Sequence, residues 1–433
     1  MSAAAVEGTI ATGTGTVTAP ETEGAPSRGR SGGRSIDPIT LLRWTSGTAL
    51  VLVAEWQARF GAHPALRGPL LGLALLLLPL DLLPALVMLF IRVGDPVAGV
   101  LLPADVIALV YLARVALHPT ALGLRLTPSR IVLALFLLWA VLATMAGVGI
   151  LTALGRIALY AALGMAVTHH PRAKKYVLWG AVAWALTSVV LYLPEFPSRL
   201  WGFYIDDPAQ AGGLFIAALL VVLASKLPTA WKVLLGGLIA FGIVATFTRS
   251  IWFAFCVVLV AAVLPRRWYV PLLLPPALGV LSIPFVPQIT ELFALNSQSG
   301  LIRMNSLMVG LREFWDRPIA GHGWAFSSFL TETEGVGLSS TPLYSMWIYI
   351  AASVGIVGVI LFAAFLALVA REVLNDTVAY FFLIAILATA LSEMPFFGSC
   401  LNGLLFFLLT SVYSERTSET GPATPERMSA ERC

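Results

Sequence analysis

Polar residues are sparse enough along this chain that its organisation is read from the places where apolar runs are interrupted. Long apolar runs recur through the sequence, and a run of about 18 residues is enough to cross a hydrocarbon core of about 30 Å as a helix. The predicted spans are 68 to 92, 98 to 117, 129 to 148, 150 to 168, 176 to 194, 209 to 226, 230 to 247, 250 to 264, 268 to 286, 343 to 369, 376 to 394 and 398 to 413. The first contains PLDLLP, Pro79 to Pro84, and should be kinked or broken there, because each proline removes a backbone donor. Residues 38 to 60 have a shorter apolar stretch flanked by Trp and Arg, a pattern that fits a helix lying in the membrane interface.

Two kinds of segment break the pattern. Residues 1 to 37 and 414 to 433 are polar or rich in small residues, cannot bury enough surface to offset ordering entropy, and are expected to be disordered tails flanking a transmembrane domain over 38 to 413. Residues 287 to 343 form the one long connection between spans, and loops of such length are functional or disordered. Within it, apolar residues at 304, 307, 308, 311, 314 and 315 make a helical stripe, so short helices are expected there. The fold class expected is all-α: a polytopic membrane protein of about twelve transmembrane helices with one large loop.

Composition agrees. Of 433 residues, 58% are hydrophobic and 12% charged, with a mean hydropathy of +0.87, where a soluble domain has about a quarter charged. The net charge of +4 comes from basic residues scattered among loops, which argues against nucleic acid as a partner. Cys256, Cys400 and Cys433 have no CxxC spacing and no nearby His cluster, so neither a disulfide framework nor a zinc site is supported, and no cofactor or metal is called for. No internal repeat relates the two halves.

The basic residues do set an orientation. If the N-terminal tail is cytoplasmic, alternate connections carry Arg125, His169 to Lys175, Lys226 and Lys232, Arg266 and Arg267, and Arg371, as the positive-inside rule requires. Both termini are then cytoplasmic. The 287 to 343 loop, the segment 194 to 208 and the turn TFTRS, Thr246 to Ser250, lie on the opposite side.

Three arginines converge on that outer side: Arg199 before the sixth span, Arg249 in the TFTRS turn and Arg303 in the long loop. Guanidinium is permanently charged and presents a planar fork of donors suited to phosphate or diphosphate oxygens. For each alone, an interfacial arginine paired with an acid is the commoner situation. Arg156, near the outer end of the fourth span, is a fourth candidate against the same alternative. Outward acids such as Glu195, Asp206, Asp207, Glu332 and Glu393 read as loop charges, helix caps or partners of the arginines. His322 is the one outward histidine and a candidate general base.

Three stretches taken together resemble the O-antigen ligase and O-antigen polymerase superfamily of polysaccharide-assembling membrane proteins. The first is Arg199, Gly202, Asp207 and Pro208; the second is Thr246, Thr248, Arg249 and Trp252, with Ser250 in a glycine position; the third is Arg303, Trp315, Pro318, Gly321 and Gly323. The resemblance covers roughly residues 65 to 413. Family ligases carry a His-Asn pair where Tyr344 and Ser345 stand here, which points to the polymerase branch. It implies a metal-independent, inverting glycosyl transfer with a polyprenyl diphosphate as leaving group, on the outer face of a bacterial inner membrane. Arg199, Arg249 and Arg303 would hold the diphosphate. His322, Asp207, Glu332 or Tyr344 would contact or deprotonate the acceptor, and Trp201, Tyr204, Trp315 and Trp324 would stack on sugars. The partners implied are a polyprenyl-diphosphate-linked oligosaccharide, membrane lipid, a chain-length regulator and a flippase. The competing readings are ligation of a glycan to a lipid or protein acceptor, and a twelve-helix transporter of lipid-linked sugars.

Overall fold

Proline opens many of the helices, at the first turn where its missing N–H has no intrahelical partner to lose. In the computed structural model, which describes residues 45–47, 49–50, 67–90, 101–117, 127–147, 149, 151–168, 170–200, 202, 208–282, 298–324, 329–333, 337–341, 343–393 and 402–412, the chain is helical apart from one short hairpin. The helices are α1 (Arg67–Leu77), α2 (Leu83–Leu89), α3 (Pro103–Ala116), α4 (Pro128–Ala146), α5 (Leu151–Val167), α6 (Pro171–Tyr192), α7 (Pro208–Ala224), α8 (Thr229–Ala245), α9 (Arg249–Ala262), α10 (Val270–Ser282), α11 (Gln298–Asp316), α12 (Met346–Glu372), α13 (Thr377–Thr389) and α14 (Asn402–Val412). Each predicted span overlaps at least one of them. Pro128–Ala146, Pro171–Glu195 and Met346–Glu372 are long and apolar enough to cross a membrane, and shorter apolar helices accompany them. The tails, and nearly all of the proposed interfacial helix over 38 to 60, lie outside the described residues.

The bundle is built around α7, buried on nearly every side against α6, α8 and α13. Its PAQAGGLFIAALL sequence is apolar all round, as a central helix requires, and its small residues let neighbours approach closely. Around it α4 packs on α12, α2 on α6, α9 on α13 and α5 on α14. The outer faces are also apolar, with Leu76, Leu138, Val263 and Ile360 all exposed. Such surfaces suit lipid rather than water.

Two helices are interrupted. At PLDLLP the chain makes a turn of 3-10 helix over Leu80–Leu82, as the prolines led one to expect. The carbonyls of Leu75 and Leu78, at the end of α1, accept from Arg114 Nη1 at 3.1 and 2.9 Å. The second break, in α12, was not anticipated: Gly355 has φ 67° and ψ −170°, so the helix stops and restarts there. The loop Pro318 to Gly323 enters the gap. His322 N donates to Ala352 O at 3.0 Å, Gly323 N to Ser353 O at 2.8 Å and Ile356 N to Pro318 O at 2.8 Å, while Trp139 Nε1 donates to Val354 O at 2.8 Å. Gly321 and Gly323, at φ 68° and 100°, are the glycines of the P-x-x-G-x-G stretch, and both lie against backbone of α12 or of the chain after α4.

Among the described residues of the long connection are one helix of 19 residues, α11, packed on α12, and, where the sequence led one to expect short helices, an antiparallel hairpin of β1 (Phe329–Thr333) and β2 (Gly337–Thr341), with Phe329 opposite Thr341. The Thr- and Ser-rich composition of these strands has no helical stripe to oppose strand pairing.

A Cβ on residue 355 would stand 2.1 Å from Ile319 O, in a backbone conformation that side chains avoid. Gly355→Ala should therefore lower stability by at least about 2 kcal/mol, whereas Gly237→Ala, with open space around it, should be neutral or stabilising. Thermal unfolding of both variants in detergent checks this, and equal midpoints would contradict the break.

Candidate functional site

The turn between α8 and α9 is held from outside. Arg199 Nε donates to Thr246 O at 2.8 Å and its Nη2 to Thr248 Oγ1 at 2.9 Å, and Leu200 N donates to Ala245 O at 2.9 Å. Thr246 and Thr248 are buried. Between them Phe247 adopts φ 45°, a conformation a bulky residue keeps only where its surroundings over-determine it. Its ring meets Trp252 edge-on at 6.3 Å. The threonines of the TFTRS stretch are thus the sockets for Arg199.

Arg249 and Ser250 begin α9 immediately after this turn. Ser250 Oγ lies 3.3 Å from Glu393 Oε1, and the same carboxylate oxygen accepts from Arg303 Nη2 at 2.5 Å. Arg249 directly precedes Ser250, which carries it to the same place. The three arginines therefore share one assembly, in the order Arg199, turn, Arg249 and Ser250, Glu393, Arg303. Glu393 is buried, and its backbone is fixed because Met346 N donates to the carbonyls of Ala390 and Glu393 at 3.2 and 3.1 Å.

Beside Arg303 is a cavity of about 270 Å³ lined by Arg303, Met304, Ser306, Leu307, Tyr344, Ser345, Ile348, Leu391 and Ser392. It is close in size to the smallest ligand pockets, roughly 300 Å³, and like them is mainly apolar with a few polar groups. Tyr344 N donates to Ser306 Oγ at 3.1 Å. The Tyr344 ring faces the Arg303 guanidinium at 5.6 Å, a cation–π contact that orients the fork.

Other candidates are placed elsewhere. His322 Nε2 is 3.1 Å from Glu313 O and 3.2 Å from Glu313 Oε2, at the opposite end of α11 from Arg303; ten residues of helix rise about 15 Å. Trp324 is buried, donates from its amide to Thr144 Oγ1 at 2.9 Å and packs on Phe136 and Tyr349, so it is a core residue with no ring face open to a sugar. Arg156 binds Asp105 Oδ2 through Nε at 3.1 Å and Nη2 at 3.0 Å, which neutralises a carboxylate 1% exposed on α3. Trp315 is exposed. Glu332 is on β1 opposite Leu338, and Trp201, Tyr204, Asp206 and Asp207 lie outside the described residues. Among the described residues no group of three or more His, Cys, Asp or Glu could hold a metal ion.

Glu393 is one of several outward acids that the sequence offered as loop charges, helix caps or partners of the arginines, and in the structure it is the one that meets Arg303, 90 residues away. Compared with known proteins, the chain matches no family model, and no curated protein is detectably similar to it in sequence.

The Arg156 pair gives a test of placement. Arg156→Ala leaves Asp105 buried without its cation and should cost about 3–5 kcal/mol, while Arg156→Met with Asp105→Leu should recover most of the loss. Detergent unfolding midpoints distinguish this from a binding role, which would leave stability unchanged.

Proposed function

We propose that the chain is an integral membrane glycosyltransferase that polymerises polyprenyl-diphosphate-linked oligosaccharide units into a surface polysaccharide, in the manner of the O-antigen polymerase branch it resembles. The observation that carries the reading is the assembly of Arg199, Arg249 and Arg303 beside a cavity. On this reading about twelve spans cross a bacterial inner membrane, both termini are cytoplasmic and the arginines face outward, in keeping with the distribution of lysine and arginine among the loops.

The chemistry follows from charge. Breaking a glycosyl phosphate bond adds negative charge to a diphosphate that is already anionic, and fixed cations at that place stabilise the transition state more than the ground state. Arg199 spends two donors on the turn and so sets the position of Arg249. Arg249 and Arg303 then receive the diphosphate, and Tyr344 keeps the Arg303 fork oriented. The donor's lipid tail would lie along the apolar exterior, with its sugar directed to the aqueous side.

Arg249→Ala and Arg303→Ala, expressed at normal level, should each reduce polymer by roughly 100-fold or more. Arg249→Lys should fall between, since it keeps the charge but loses the fork. The readout is the product pattern on a gel after incubation with a lipid-linked oligosaccharide. A ladder supports polymerisation and a single adduct would mean ligation. Unchanged substrate that crosses a liposome membrane would mean transport.

A further inference from the structure

We infer that Glu393 is the base that deprotonates the acceptor hydroxyl, and that arrival of the diphosphate is what makes it one. The inference rests on the lipid-diphosphate reading above. Glu393 is bonded to one residue lining the cavity, Arg303, and follows two others, Leu391 and Ser392. Its carboxylate is thus at the margin of a space beside Arg303 that could receive an acceptor, with the hydroxyl-bearing Ser306, Tyr344, Ser345 and Ser392 around that space. Its backbone is pinned to the start of α12 through Met346, so a change of partner moves only the side chain.

As the structure stands, Glu393 Oε1 takes Arg303 Nη2 at 2.5 Å and Ser250 Oγ at 3.3 Å. A carboxylate held by a guanidinium is a weak base, because the cation stabilises its charged form. A diphosphate carries more charge than a carboxylate and matches the guanidinium fork in the same bidentate way, so it competes for Arg303. Once displaced, the Glu393 carboxylate has lost its cation and lies beside an anion, and both changes raise its affinity for a proton. The acceptor hydroxyl then gives its proton to Glu393 as its oxygen bonds to the anomeric carbon. The bond from that carbon to the diphosphate oxygen breaks, and the electron pair leaves with the diphosphate. The proton passes from Glu393 to the departing diphosphate, which restores the carboxylate to Arg303. Before a donor binds, the base is switched off.

The test uses the full chain in lipid nanodiscs, with farnesyl diphosphate as the binding probe, and membrane vesicles of the producing cell, with their own lipid-linked oligosaccharide, for turnover. Glu393→Gln should bind farnesyl diphosphate at least as tightly as the unaltered protein, while polymer formation falls roughly 100-fold or more. Formate should restore part of the activity of Glu393→Ala, a rescue that a structural role would not give. Arg303→Ala should lose binding of the probe. Polymerisation by Glu393→Gln within about threefold of normal, which is well short of the loss of a general base, overturns the assignment. So does binding as weak as that of Arg303→Ala, or no rescue by formate. Failure of the unaltered protein to bind farnesyl diphosphate overturns the diphosphate reading itself, and this inference with it.

Discussion

A helix that breaks inside an apolar bundle exposes carbonyl and amide groups that only the protein can satisfy, and the break of α12 at Gly355 organises much of what surrounds it. Ala352, Ser353, Val354 and Ile356 each find a partner from outside the helix. Three of those partners come from a single loop, Pro318 to Gly323. Its prolyl carbonyl and two glycyl conformations are what such an insertion demands, since the loop must enter beside backbone with no room for a Cβ. The P-x-x-G-x-G stretch is therefore a piece of architecture that also fixes where α11 ends.

Charge obeys the same rule of internal satisfaction. Arg114 caps the broken end of α1, Arg156 neutralises Asp105, and Lys174 meets Asp376 at 3.4 Å. Each of these contacts is accounted for as structure. The assembly of Arg199, Arg249 and Arg303 differs because it links arginines from three parts of the chain through one turn and the Glu393 carboxylate.

The helices were legible because apolar runs are bounded by prolines and arginines, and the break at PLDLLP because prolines announce it. The break at Gly355 was not: SVGIVGVI is uniformly apolar, and glycine in such a run reads equally well as close helix packing. The company of the three arginines was expected from the distribution of basic residues among the loops. Glu393 was among the acids expected to partner them, but which acid meets which arginine was not legible, because Glu393 reaches Arg303 only through the packing of α11 and α13 against α12 and α10. Arg156 and Trp324 illustrate the opposite case. Each looked available in the sequence, and each is taken up by a contact distant along the chain, with Asp105 and with Phe136 and Tyr349.

Helix α11 has two occupied ends. Arg303 and Ser306 stand at the cavity, and Glu313 holds His322, whose loop is wedged into α12. A straight helix of this length behaves as a rigid rod, so its two ends cannot shift independently. Any tilt that follows from an exchange of partners at Arg303 is transmitted to the wedge some 15 Å away, and the gap in α12 is the joint that would absorb it.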